Sequence, residues 1–441
     1  MDNNRYQKIA DELATAIRSG ELAPGTKLPP LRSIMRKHGV ALATAVRAYN
    51  MLEAAGMVVG ELGRGTFVRD TTVPGNDVLI QRSWPSAMID LGFSYPLLPG
   101  QDELLRDGLR ALASTGDLGS LLQAPPQGGR LHYRESAARH LRNRAIRVPA
   151  SQVLIVNGAQ HGLSVTLSAL LKPGDVLAVD ALTYPGLKAL AKLHRLELSA
   201  LPMIDGIPDL GALHVLCTQR RVKAIYCMPT IHNPLGSVMP LAARKRMADL
   251  AEQHNLLIIE DGAYAFLAEA APEPVQRHAP DRTVYVSGLS KSVAAGLRVG
   301  FVVAPPSCIP ALEQAIRVSI WNTPSLNVAL SCRWIESGVI DSLESAKRRD
   351  AKQRQVLARK VLRNGKIRSN PSSYFLWLEL PDEARAEEIA RQLQEERILV
   401  ATSEPFATTS HAPQAIRLAL GTLPLAELRD ALMKVDEAVS R

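Results

Sequence analysis

The sequence predicts two folded units in one chain: a small helical module closed by a β-hairpin, then an α/β domain with a mostly parallel sheet and a smaller α+β subdomain. Three observations predict this. At 441 residues the chain exceeds one ordinary domain. Residues 5–70 carry three runs of helical spacing, then two β-rich runs around a Gly-rich turn. From about 150 to 304, short apolar runs alternate with helical stretches, the pattern of a parallel sheet with helices on both faces.

In chain order, Ile9, Leu13, Ala16 and Ile17 set the first helix, which Gly20 and Pro24-Gly25 stop. Residues 29–38 and 43–55 read as two shorter helices split at His38-Gly39-Val40, a helix-turn-helix. MVVGELGRGTFVRD (57–70) reads as a hairpin, so the unit is a winged helix-turn-helix. Residues 71–86 hold Pro, Gly and polar residues without periodicity. The expected boundaries are 1–70 for the first unit, 71–88 for a linker and 89–441 for the second unit. Within the second, a large subdomain is expected over about 120–325 and a small one over about 326–441 plus 89–119. The strand runs are VLIV (153–156), DVLAVD (175–180), KAIYCM (223–228), LLIIED (256–261), TVYVS (283–287) and VGFVVA (299–304).

Composition narrows the class. Hydrophobic content of 46% with 22% charged residues is that of a globular protein. A net charge of +9 permits a polyanionic partner without requiring one. The four cysteines form no Cys-x-x-Cys pair, which argues against a zinc or redox site. The start, MDNNRYQKIADEL, lacks the apolar core of a secretory signal, and no apolar run approaches bilayer length. The expectation is a cytoplasmic protein with reduced thiols.

Parallel sheets place ligands at the carboxyl ends of their strands, and the residues there are suggestive. Lys291 follows TVYVS; a lysine held against an aldehyde cofactor forms a Schiff base, although a lone Ser-Lys pair is more often a surface feature. Asp261 ends LLIIED. It suits the ring nitrogen of pyridoxal 5′-phosphate (PLP), which needs an acidic partner, or else it is an ordinary helix cap. Tyr264 and Asn233 are candidate donors to the cofactor's phenolate oxygen; Asn233 also reads as a plain Asn-Pro turn. NGAQHGL (157–163) opens a helix, so the backbone N–H groups of Gly158, Ala159 and Gln160 would face an anion, with Ser290 and Arg298 adding bonds. Tyr184 is placed to stack on the ring. Each residue alone is ambiguous; their common order along the strands is what counts.

On NGAQ, TYPG, NPLG, EDGAY, SK and GLRVG, residues 89–441 resemble a fold-type I PLP-dependent aminotransferase. The resemblance implies the cofactor contacts just given and adds Arg417, in AIRLALG, as the grip for a substrate α-carboxylate. On PGTKLPPLR, TAVRAYNMLEAAG and GRGTFV, residues 5–70 resemble a GntR-family winged helix. That implies DNA contacts by Arg32, Thr44 and Arg47, and a wing tip at Arg64-Gly65. The combined layout resembles the MocR-type transcriptional regulators. It implies a homodimer on double-stranded operator DNA that senses an amine or amino acid, or PLP itself, through aldimine chemistry. A working aminotransferase with an appended DNA-binding module is the alternative. A DNA binder whose second domain only dimerises is a third.

The sequence departs from these patterns in places. Gly288 stands where the family has Ser or Thr, leaving Ser287 as a substitute phosphate ligand. QAPPQGGR (123–130) lacks the Tyr that reaches the neighbouring subunit's phosphate. Ala41-Leu42 replaces the Ser-Arg that opens many GntR recognition helices. Residues 347–368 hold ten Lys or Arg and one acid, Asp350, which reads as a solvated helix or as a second DNA-tracking surface.

Overall fold

The computed structural model describes residues 5–23, 25–61, 65–68, 88–114 and 118–440. The first unit holds α1 (Arg5–Arg18), α2 (Leu31–His38), α3 (Leu42–Ala54) and a hairpin of β1 (Val58–Glu61) and β2 (Gly65–Val68). Ile9 and Leu13 of α1 and Ala45, Ala48, Tyr49 and Leu52 of α3 recur at helical spacing, and they share a core with Leu28, Ile34, Val58 and Val68. The hairpin is antiparallel, with Val58 opposite Val68 and Glu61 opposite Gly65. Because α3 buries that stripe, Arg47 stands exposed, as does Arg32 on α2, while Thr44 is half-buried. Arg64 of the expected wing tip and residues 71–87 of the expected linker lie outside the described residues.

The second unit begins with β3 (Ile89–Asp90), α4 (Gln101–Ala113) and α5 (Leu131–Leu141). The strands that follow are β4 (Val153–Val156), β5 (Val176–Asp180), β6 (Glu197–Leu201), a small hairpin of β7 (Met203–Ile204) and β8 (Ile207–Pro208), then β9 (Val222–Cys227), β10 (Leu257–Asp261), β11 (Thr283–Gly288) and β12 (Gly300–Val303). Seven of them form one sheet in the order β4-β12-β11-β10-β9-β5-β6. β12 is antiparallel to both neighbours and the other pairings are parallel. Helices α6 (Ala159–Leu170), α7 (Pro185–Leu193), α8 (Leu210–Gln219) and α9 (Leu241–Gln253) come between strands. They are followed by α10 (Val275–His278), α11 (Leu289–Ser292), α12 (Ile309–Ser319) and α13 (Ser325–Glu336). Leu154 and Val156 enter one hydrophobic cluster and Val153 and Ile155 another, so both faces of the sheet are covered.

The long helix α14 (Val339–Val361) leads into the small subdomain. There β13 (Lys366–Arg368), β14 (Phe375–Glu379), β16 (Ala401–Thr402) and β17 (Ala415–Ala419) form a second sheet, ordered β13-β14-β17-β16. Helices α15 (Ala386–Glu395) and α16 (Leu425–Ser440) contribute to its core. The strand β15 (Ile398–Leu399), after α15, pairs in parallel with β3, which ties residues 89–90 to the small subdomain. Leu112 of α4 instead packs with Val153, Val328 and Trp334, so that part of the expected 89–119 segment shares the core of the large subdomain. Among the described residues no helix is long and apolar enough to cross a membrane.

Candidate functional site

The ends of β4, β9, β10 and β11 and the start of α7 converge on one cavity. Its lining includes Ala159, Gln160, Tyr184, Asn233, Asp261, Tyr264, Ser290, Lys291, Arg298 and Arg417, so residues far apart in sequence meet there. The last wall comes from the small subdomain: Arg417 sits on β17, paired with Trp377 of β14 and Ala401 of β16.

Lys291 faces this cavity from α11, one turn beyond β11. Its Nζ donates to Ser94 O at 2.8 Å and lies 4.8 Å from the centre of the Tyr95 ring. Burial, then the nearby Arg417 and Arg298 cations, pushes the amine down to about 7. A lysine in that state is a usable nucleophile near neutrality.

Asp261 is buried at the end of β10 and accepts from the Tyr226 hydroxyl at 2.8 Å and the Ala263 N–H at 2.9 Å. Burial pushes its carboxyl up, against the pull of those two hydrogen bonds. A cationic ring placed beside it would favour the ionised form. Asn233 accepts from Arg417 Nη1 at 3.2 Å, which leaves its amide N–H groups as donors. Tyr184 donates to Gln160 at 2.9 Å, and Tyr264 packs edge-on against Phe375.

The end of the cavity at α6 is built from backbone. Gly158 caps α6 with φ of 81°, a region favouring glycine, and an added Cβ would fall 2.7 Å from the Arg298 guanidinium. Arg298 itself takes a left-handed backbone with φ of 51° and donates to Ser290 Oγ at 3.3 Å and Asn157 O at 3.0 Å. Ser290, Arg298 and the first N–H groups of α6 thus face one place, a fit for an anion. At the other end, Arg417 is buried, bonds Gly92 O and Asn233, and keeps its Nε without a partner among the described residues. An unpartnered buried guanidinium nitrogen beside the lysine fits a bound carboxylate. The donor set therefore fits PLP, with Lys291 for the aldehyde, Asp261 for the ring nitrogen and the α6 terminus for the phosphate.

Not every expected contact is there. Ser287 lies off the cavity: strand alternation turns it to the side of Tyr285, while Gly288 reaches the lining. A Cβ at Gly288 would meet Val299 O at 3.1 Å and the Ala159 N–H nitrogen at 3.3 Å, both backbone. We therefore expect Gly288→Ser to strain the α6 terminus rather than restore a phosphate ligand. It should lower stability by about 1–3 kcal/mol, as overpacking does, without tightening PLP. A thermal melt and a PLP titration check this, and tighter binding at unchanged stability would contradict it.

Residues the sequence reading missed are Phe93, Ser94, Tyr95 and Phe406. The aromatic spacing of GFSYP (92–96) was the available signal. The basic stretch also resolves. Lys347 and Arg354 are buried, donating to Pro96, Lys291, Val293, Leu420 and Leu423 carbonyls, and Arg348 donates to Phe266 O. Lys352 pairs with Glu269, and Lys366 and Arg368 with Glu379. Lys347, Arg348 and Arg354 thus serve the subdomain joint, while Arg349, Lys352, Arg359, Lys360, Arg363 and Lys366 remain exposed.

The fold and the cavity together define a fold-type I aminotransferase-like domain preceded by a winged helix-turn-helix. Residues 86–435 match aminotransferase class I and II, and residues 5–68 match the bacterial regulatory proteins of the gntR family. The chain belongs to the MocR-type regulators, in which these two parts are joined. The HTH-type transcriptional regulator YjiR of Escherichia coli is 30% identical over 99% of this chain and 99% of its own length. The HTH-type transcriptional regulator YdeF of Bacillus subtilis is 28% identical, covering 97% and 93%. Among solved structures, LysN, the α-aminoadipate aminotransferase of Thermus thermophilus complexed with N-(5′-phosphopyridoxyl)-L-leucine, superimposes with a TM-score of 0.73 at 26% identity, over 80% of this chain and 92% of that one.

Proposed function

We propose that this chain is a PLP-dependent transcriptional regulator that binds operator DNA as a homodimer and responds to an amine or amino acid. The observation that carries the reading is the convergence of Lys291, Asp261, Arg298 and Arg417 on one cavity, in a chain that also presents α3 with Arg47 exposed. When bound, PLP supplies an aldehyde that condenses with amines and an electron-withdrawing ring. The protein's part is to hold and poise. Lys291 offers an amine near neutrality, Asp261 would orient and charge the ring, and the α6 terminus with Ser290 and Arg298 would hold the phosphate. Arg417 selects an effector with a carboxylate. LysN's phosphopyridoxyl-leucine supports that selection by analogy of fold.

Two further features support the regulator. Leu105 and Leu109 on α4 and Leu131 on α5 are exposed, and both helices pack on α13, an apolar surface suited to a second subunit. The wing meets the small subdomain, with the Arg385 guanidinium 3.8 Å from the Phe67 ring centre. Residues 402–404 line the cleft beneath the wing while Phe406 lines the effector cavity, so a single loop touches both. A shift of that loop on effector binding would move the wing.

A second reading is a working aminotransferase carrying a DNA-binding module, favoured by the complete chemical core and by the 27% identity to the 2-aminoadipate transaminase of Thermus thermophilus. Absorption spectra taken with and without candidate amines, beside an operator-binding assay and a keto-acid assay, separate the two. The regulator gives a spectral change and altered DNA binding with little keto acid. The enzyme gives sustained keto-acid production.

A further inference from the structure

Lys347 is fully buried on α14, outside every contact assigned above to cofactor or effector. Its Nζ donates to Val293 O at 2.6 Å, Pro96 O at 2.8 Å and Lys291 O at 3.1 Å. An ammonium has three donors, and here each has a carbonyl. Two of those carbonyls flank the reactive lysine, one of them Lys291's own. The third belongs to the segment 93–96 that crosses the cavity. Lys291 meets the same segment from the other side, through Ser94 O and the Tyr95 ring. That segment is held at its far end by Arg417 on Gly92 O and by Thr422 on Phe93 O. An apolar side chain would fill this space without the cost of burying a charge, so a stabilising role alone is a poor account of a lysine here.

We propose that Lys347 is a positioning residue for Lys291: by tying the Lys291 backbone and the 93–96 segment to α14, it presents the reactive amine to the cofactor aldehyde. This rests on the reading of Lys291 as the PLP lysine. Geometry is the basis. Burial, then Lys291, pushes Lys347 down to about 7, while Glu344 and Asp350 oppose the shift. The proton on Lys291 is governed by burial, Arg417 and Arg298. Removing Lys347 therefore loosens Lys291 without moving its titration.

The test uses full-length protein and the variants Lys347→Met, which keeps the stem without donors, and Lys347→Gln, which keeps two N–H donors without charge. Two readouts are followed against pH: the rate at which apo-protein captures PLP, and the rate at which trinitrobenzenesulfonate modifies Lys291, located by peptide mass mapping. In the wild type both should rise with pH through about 7 and then level off. In Lys347→Met both should slow about tenfold at neutral pH, the scale expected for a small misplacement of a reacting group, with the midpoint kept because burial, Arg417 and Arg298 set it. Lys347→Gln should restore part of the rate. A folded Lys347→Met with the wild-type rate overturns the proposal; if that variant does not fold, a wild-type rate in Lys347→Gln does so. Failure of the PLP reading looks different: the wild type would place no PLP on Lys291, while the modification profile would still report on Lys347.

Discussion

Lys291→Ala is expected to yield a folded protein that retains no PLP covalently. Borohydride reduction of the wild type with PLP, followed by peptide mapping, should label Lys291, and the variant should carry no label at its active site. The expectation rests on position, since Lys291 is the lysine whose Nζ enters the cavity with Asp261 and Arg298. The variant should also change the pH dependence of stability. Lys291 is held at about 7 in the fold against an ordinary 10.5. Its burial therefore destabilises the fold fully below about pH 7, and the cost fades as pH rises towards the ordinary lysine value. Alanine removes that cost, so the melting temperature of the apo-protein should gain most in acid and least in base. Label on a different lysine in the wild type, or a uniform change at all pH, would contradict the assignment.

Arg47→Ala is expected to weaken operator binding by about 1–3 kcal/mol per site, roughly 5- to 150-fold, the scale of one lost specific contact. The loss should leave the PLP spectrum unchanged. Arg47 is exposed on α3, opposite the Ala45, Ala48 and Leu52 stripe, and alanine is a good helix former, so the module should stay folded. Ala41 at the start of α3 supplies no capping side chain, so affinity depends more on the exposed cations that remain. Electrophoretic or fluorescence titration at fixed salt measures this, and undiminished affinity would remove Arg47 from the interface.

How far the sequence could carry the reading depends on the range of the contact. Short apolar runs bury on both faces, which is why the β4, β5, β9, β10, β11 and β12 strands were all foreseeable. The edge strand β6 was not, because ELSAL has one fully buried residue and a single partner strand. Motifs at strand ends located Lys291, Asp261 and Asn233. The Ser94 carbonyl that meets Lys291 lies 197 positions away in sequence, and no local pattern reports such a meeting. In 347–368 charge count alone does not tell the two faces apart, and the helical spacing does: Lys347, Ala351, Arg354, Gln355 and Ala358 form one inward stripe. Ser287 falls outside the cavity lining for a simple reason of period, one residue being one face of a strand.

The account's central claim is that amine chemistry at Lys291 is read out at the winged helix. Operator affinity measured in the presence of PLP, with and without an amino-acid effector, in wild type and in Lys291→Ala, tests it most directly. Keto acid is assayed in the same samples. The account predicts an effector-dependent change in the wild type, none in Lys291→Ala, and keto-acid formation far below ordinary enzyme rates of roughly 1 per second or more. An equal response in Lys291→Ala would show that the effector acts elsewhere, and turnover at ordinary rates would make the chain an aminotransferase first.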